Sequence, residues 1–150
     1  MQVVITRGLP GSGKSTKARI WQAERPYDRV YMDRDDLRQM MFGRQGLLPN
    51  EQEDLVSVVQ YAGLRSVLSV GKSIVLADTF LRDDRLDPVL SIARWYGAEV
   101  DYIDLRHVPV EVCIERDRKR GETGGREVTA EIIRIMARRY GLAKNVVPPQ

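Results

Sequence analysis

Gly8-Leu9-Pro10-Gly11-Ser12-Gly13-Lys14-Ser15 satisfies the pattern G-x-x-x-x-G-K-[ST] at every fixed position. No other stretch restricts the fold as tightly. Before it, Gln2-Val3-Val4-Ile5-Thr6 is a β-branched run that reads as a buried strand. After it, residues 14–24 read as a helix closed before Pro26. The glycines reach backbone angles denied to other residues, so several N–H groups can turn into one concavity. The helix adds its positive end to the same spot. A strand, loop and helix in this order bind phosphate. Lys14 offers a compact charge to the β- and γ-phosphates, and the Ser15 hydroxyl is a ligand for Mg²⁺. Gly8, Pro10, Gly11, Ser12, Gly13, Lys14, Ser15 and Thr16 are thus the candidate residues for ATP or another NTP.

The rest of the chain continues the alternation. Strands are expected over residues 29–32, 73–77 and 99–105, and helices over 34–42, about 50–70, 83 to about 97, 110–120 and 129–140. Asn50 and Glu53 have the spacing of a capping box, and Leu55, Val58, Val59, Ala62 and Val67 mark the apolar face of the long helix behind it. Ser73-Ile74-Val75-Leu76-Ala77 is apolar without alternation, as a central parallel strand requires. Thr129 is a cap candidate for the last helix and Gly141 its stop. The expected architecture is α/β: three layers, a central, mostly parallel four-stranded sheet flanked by helices, with a basic lid. At 150 residues, one domain spanning 1–150 is expected. A hydrophobic fraction of 43% and a charged fraction of 30% suit a globular chain. No apolar run reaches the ~20 residues of a membrane helix. The N-terminus has no secretory signal pattern. The one cysteine, Cys113, excludes an intrachain disulfide and thiolate zinc clusters, so a reducing cytoplasm is expected. A net charge of +3 does not suit a protein that coats long nucleic acid.

Three further groups of residues bear on chemistry. Asp33-Arg34-Asp35-Asp36-Leu37-Arg38 follows the second strand, at the carboxyl edge where parallel sheets bind ligands. Asp35 and Arg38 share a helix face; a carboxylate there can take a hydroxyl proton while the guanidinium holds a phosphate, and a plain surface pair has the same spacing. Asp78 and Thr79 end the central strand; Asp78 can hold a water on Mg²⁺ or cap a helix, and the pair joins Asp35 and Arg38 as acceptor-binding candidates. Arg116 and Arg120 lie one helical turn apart, ahead of Gly121, Gly124 and Gly125, which loosen the chain. Together they read as a lid over about 116–126 that brings arginines to a transferring phosphoryl group; a solvated basic face is the alternative. Asp35 is a further candidate metal ligand. His107 receives no role, and Trp21 and Trp95 read as packing residues. No Asn-Lys-x-Asp element for guanine is present, and the chain is short for an oligomeric AAA machine, so a small kinase is the leading class.

The order Gly-Leu-Pro-Gly-Ser-Gly-Lys-Ser-Thr, Asp-Arg-Asp-Asp-Leu-Arg, Ala-Asp-Thr, Arg-Asp-Arg-Lys-Arg-Gly resembles the kinase domain of phage polynucleotide 5′-kinases over roughly residues 2–142. The resemblance implies transfer of an NTP γ-phosphate to 5′-hydroxyl ends of DNA or RNA in nucleic-acid repair, in the host cytoplasm if the gene is a phage's. It implies Asp35 as general base, Arg38 on the acceptor phosphate 3′ of the terminal nucleoside, Arg116 and Arg120 as lid arginines, and Lys14 and Ser15 on donor phosphates and Mg²⁺. Those enzymes continue into a 3′-phosphatase domain that this sequence does not include, so phosphatase activity is not expected. Phe80 stands where that family often carries Asn, which alters the contacts to the acceptor base. Two other readings share the phosphate loop: a kinase of a nucleoside, sugar or antibiotic, and a regulatory nucleotide-binding module.

Overall fold

Strands and helices alternate throughout the computed structural model, which describes residues 1–142. The last residues of the expected 1–150 domain lie outside the described ones. The order is β1 (Gln2–Arg7), α1 (Lys14–Glu24), β2 (Arg29–Asp33), α2 (Arg34–Phe42), α3 (Asn50–Ser69), β3 (Ser73–Ala77), α4 (Asp83–Trp95), β4 (Glu99–Asp104), α5 (Val110–Glu122) and α6 (Ala130–Arg139). The sheet order is β2-β3-β1-β4, and every pairing among the described strands is parallel. Val75 of β3 stands beside both Val4 and Tyr31, so β3 is central, as its unbroken apolar run requires.

Alternate side chains feed two cores. Val3, Ile5, Ile74 and Leu76 face Leu64 and Leu68 of α3 and Leu86, Val89 and Ile92 of α4. Val4, Val75 and Ala77 face Ala18 and Trp21 of α1 on the other side. Helices on both faces of a parallel sheet give the three layers. A further core joins the phosphate loop to the last two helices: Leu9 and Leu81 pack with Val110 and Cys113 of α5 and Ile133 and Ala137 of α6.

Several local expectations are overturned. The buried face of α3 is Glu53, Val56, Ser57, Gln60, Leu64 and Leu68, whereas Leu55 and Val58 are exposed. The helix turns its polar stripe inward because arginines of α2 and α4 wait there. No capping box forms at Asn50. Pro49 is the N-cap and its carbonyl accepts from the Gln52 and Glu53 N–H groups at 3.0 Å, while the Glu53 carboxylate is taken by arginines. Thr129 occupies the N-cap position of α6 at φ +91° but makes no side-chain cap. Gly121 is helical and so does not loosen the lid; a Cβ there would stand 2.9 Å from Glu127. Trp95 is 84% exposed and packs in no core, whereas Trp21 lies against the sheet under the Arg29 guanidinium. Gly141 adopts the left-handed backbone expected of a helix stop.

Among the described glycines, Gly11 leaves the least room for a side chain. Its φ is +83°, and a Cβ would lie 2.2 Å from the Cys113 carbonyl oxygen on α5. Gly11→Ala should lower stability by roughly 2 kcal/mol or more, because both backbone strain and the clash must be relieved. Equilibrium urea denaturation checks this; a midpoint equal to wild type would mean that the loop does not rest on α5.

Candidate active site

β1 delivers the chain to the phosphate loop at the carboxyl edge of the sheet. The loop is tied to β3 from below: the Gly8 N–H donates to the Thr79 carbonyl at 3.1 Å, and the Thr6 hydroxyl to the Asp78 carbonyl at 2.6 Å. Gly11 and Gly13 take left-handed angles, φ +83° and +100°, which opens the concavity. The α1 N-terminus has neither a side-chain cap nor an acidic residue in its first turn. Its positive end is therefore left for an anion, whereas α2 is capped internally by Asp33. Ser12 Oγ is buried with no partner. These features fit nucleotide phosphates.

Lys14 Nζ donates to the Leu9 carbonyl at 2.8 Å. Burial pulls its pKa down to about 8, with Asp78 opposing and Arg120 adding to the drop. Its charge thus awaits an anionic partner. Ser15 Oγ donates to Asp33 Oδ2 at 3.0 Å, and the Tyr31 hydroxyl donates to the same oxygen at 2.7 Å. The carboxylate beside the candidate metal-binding hydroxyl is therefore Asp33, whereas Asp35 is engaged elsewhere. Asp78 Oδ1 accepts from the Thr79 N–H at 2.7 Å, and among the described residues no cluster of three or more metal-ligating side chains forms. Mg²⁺ at Ser15 would accordingly be held largely through the donor phosphates and water, with Asp33 and Asp78 as the facing carboxylates.

A single cavity of about 630 Å³ joins the phosphate loop to the second strand's edge. Pro10, Gly11, Gly13, Lys14, Ser15 and Thr16 line one end. Gly8 and Ser12 are buried behind the loop. Asp35 and Arg38 line the cavity too, and Asp78 and Thr79 line it beside the loop, where the Gly8 N–H meets the Thr79 carbonyl. Arg116 and Arg120 reach over it, so every candidate except the two buried loop residues meets in one space. Arg116 Nη1 donates to the Ser12 carbonyl at 3.2 Å, and Arg120 lies between Asp117 and the Arg126 carbonyl, at 2.7 and 2.6 Å.

Glu53, Arg34, Arg126 and Arg85, which received no chemical role in the sequence, gather around Asp35 and Arg38. Arg38 donates Nε to both Glu53 oxygens, at 2.9 and 3.1 Å, and Nη1 to Asp35 at 2.7 Å. Arg34, nearly fully buried, donates to the Glu53 carbonyl at 2.9 Å and stands 3.9 Å from its carboxylate. Burial alone would raise the Glu53 pKa, but the hydrogen bonds from Arg38 hold it below the usual range. Arg126 of the lid pairs with Asp35 Oδ2, and burial lowers its pKa. Arg85 donates to the Ser57 hydroxyl and lines the cavity. A glutamate at capping-box spacing, and arginines within charged helix faces, carry no signal of this role until α3 is laid across α2. The Phe80 ring is buried in the sheet core and its backbone takes φ +43°, so it offers the cavity no polar side chain. His107 is exposed and outside the cavity.

A family model described as an AAA domain matches residues 3–143. A chain of the Pnkp1/Rnl/Hen1 RNA repair complex superposes with a TM-score of 0.74 at 25% identity, covering 95% of this chain and 45% of that one. Another structure of the Pnkp1/Rnl/Hen1 complex gives 0.67 at 27% identity, over 77% and 38%. The chain thus spans less than half the length of these two. A gluconokinase from Sinorhizobium meliloti gives 0.61 at 17% identity, over 99% and 77%, a likeness of fold alone. With its phosphate loop, its parallel sheet and a match over nearly its whole length, the chain belongs to the AAA domain family and has the fold of its P-loop kinase neighbours.

Proposed function

We propose that the chain is a P-loop kinase that moves the γ-phosphate of ATP or another NTP onto the 5′-hydroxyl end of DNA or RNA in a reducing cytoplasm. The observation that carries the reading is the Asp35–Arg38 pair, joined at 2.7 Å, in the same cavity that Lys14 lines. A carboxylate for a hydroxyl proton stands beside a guanidinium for a phosphate, as an alcohol with a neighbouring phosphodiester requires. The likeness to a chain of an RNA repair complex supports the same substrate class.

In this mechanism the phosphate loop and Lys14 hold the donor phosphates, and Arg38 anchors the phosphate 3′ of the terminal nucleoside. Asp35 orients the 5′-hydroxyl and takes its proton once Arg126 yields. Arg116 and Arg120 face the charge that spreads over the transferring group. Mg²⁺ bound at Ser15 would neutralise charge on the β- and γ-phosphates.

The acceptor end is tested with oligonucleotides, nucleoside 3′-monophosphates and bare nucleosides. The 3′-monophosphate should be the smallest good acceptor and the bare nucleoside a poor one. Arg38→Ala should impair the phosphate-bearing acceptors far more than residual activity on a nucleoside. Equal wild-type rates on bare nucleosides or sugars would establish a small-molecule kinase instead.

Asp35→Asn should retain nucleotide binding and lose transfer by ~10²-fold or more, since an amide cannot take the proton. Single-turnover rates measure this, and a rate near wild type would assign the base to another carboxylate.

Lys14 gives a pH signature. With its pKa lowered to about 8, the free protein carries a charged Lys14 below that pH and a neutral one above it. Bound phosphates favour the charged form, so binding takes up a proton at higher pH. ATP affinity should be level just below pH 8 and fall by up to about tenfold per pH unit above it. In Lys14→Met this slope should vanish, as calorimetric titration between pH 7 and 9.5 can establish.

A further inference from the structure

Asp117 lies on α5 with its side chain 1% exposed. A carboxylate so buried must be fully partnered. Oδ1 accepts from the Val128 N–H at 2.8 Å and from Arg120 Nη2 at 2.7 Å, and Oδ2 accepts from the Thr129 N–H at 2.9 Å. Two of these donors stand at the mouth of α6, where Thr129 makes no cap of its own. Asp117 therefore caps α6 from a different helix. The third donor is a lid arginine. Arg120 Nε reaches on to the Arg126 carbonyl at 2.6 Å, and the Arg126 side chain pairs with Asp35. Gly125 closes against this arginine: a Cβ there would stand 2.7 Å from Arg120 Cγ. A continuous set of polar contacts thus runs from α5, through the lid, to the acceptor carboxylate.

We propose that Asp117 is a positioning residue for phosphoryl transfer: it holds Arg120 toward the donor phosphates before nucleotide arrives. The inference rests on the kinase reading of the site. A free arginine has several rotatable bonds to immobilise at each turnover, and a buried carboxylate that has already restrained it lowers that entropic cost. A carboxylate that served only to cap α6 would stabilise the fold without affecting how the γ-phosphate is held.

The test needs no acceptor. Calorimetry compares Mg²⁺ complexes of a non-hydrolysable ATP analogue and of ADP, on wild type, D117N, R120A and the double variant. Wild type should prefer the triphosphate, and R120A should lose roughly tenfold of that preference. D117N should lose a comparable factor, and the double variant should fall no more than about twofold below R120A, because one residue acts through the other. A wild-type preference in either single variant, with only the melting temperature lowered, overturns the proposal, as does a double variant in which the losses multiply. If D117N does not fold, guanidinium NMR of nucleotide-free wild type decides: the Arg120 Nη2 hydrogens, which donate to Asp117, should exchange slowly, and rapid exchange overturns the proposal. Oligonucleotide phosphorylation by wild type is scored separately, so failure of the substrate reading leaves this result standing.

Discussion

The close approach of Gly11 to the Cys113 carbonyl is the contact on which the site depends. A loop that turns N–H groups toward a ligand has few left to bind itself, here Ser12 N–H to the Leu9 carbonyl at 3.1 Å. It is held from outside. The α5 backbone supports it at Gly11, the Thr79 carbonyl receives the Gly8 N–H, and Leu9 is buried among Leu81, Val110 and Ile133. Loop and lid helices therefore share one core. The arginines that α5 carries are set relative to the phosphate loop by packing, before any electrostatic attraction to a ligand acts.

The acceptor end is governed by charge pairing in a poorly solvated place. Glu53 is 3% exposed and meets two arginines; Arg34 is 2% exposed. Burying such groups is costly, and removing one partner of a buried pair typically costs about 3–5 kcal/mol. The polar inner face of α3 is the structural answer: Glu53, Ser57 and Gln60 partner Arg38, Arg85 and Arg34. Arg38 is thereby divided between Glu53, which anchors Nε and Nη2, and Asp35, which takes Nη1. An arginine fixed in this way has one orientation, and on the proposed reading a phosphate would take its remaining N–H groups.

The two ends of the cavity are joined by the lid. Arg116 rests on the phosphate loop and Arg126 on Asp35, with Arg120 between them. Arg126 occupies the carboxylate that a hydroxyl would need. Acceptor binding on this reading exchanges one hydrogen-bonded partner of Asp35 for another, and leaves no carboxylate bare in a cavity where a lone charge would be costly.

Much of this was legible in the residues themselves. The phosphate loop, the strand before it and the helix after it follow from steric and hydrogen-bonding rules that act within a few residues. So do the parallel sheet, which apolar runs of strand length imply, and the shared face of Asp35 and Arg38. What could not be read was set by contacts far apart in sequence. Glu53 has the spacing of a local cap, and only the crossing of α3 over α2 turns it to Arg38. The apolar residues Leu55 and Val58 suggest the inward face of α3, yet the buried arginines require the opposite one. Gly121, Gly124 and Gly125 read as slack, whereas Asp117 and the close packing of Gly125 on Arg120 strap the lid in place. Local propensity and spacing determined the loop and the sheet; the tertiary structure decided the pairing of buried charges, because the cost of leaving each one alone is settled only when distant elements meet.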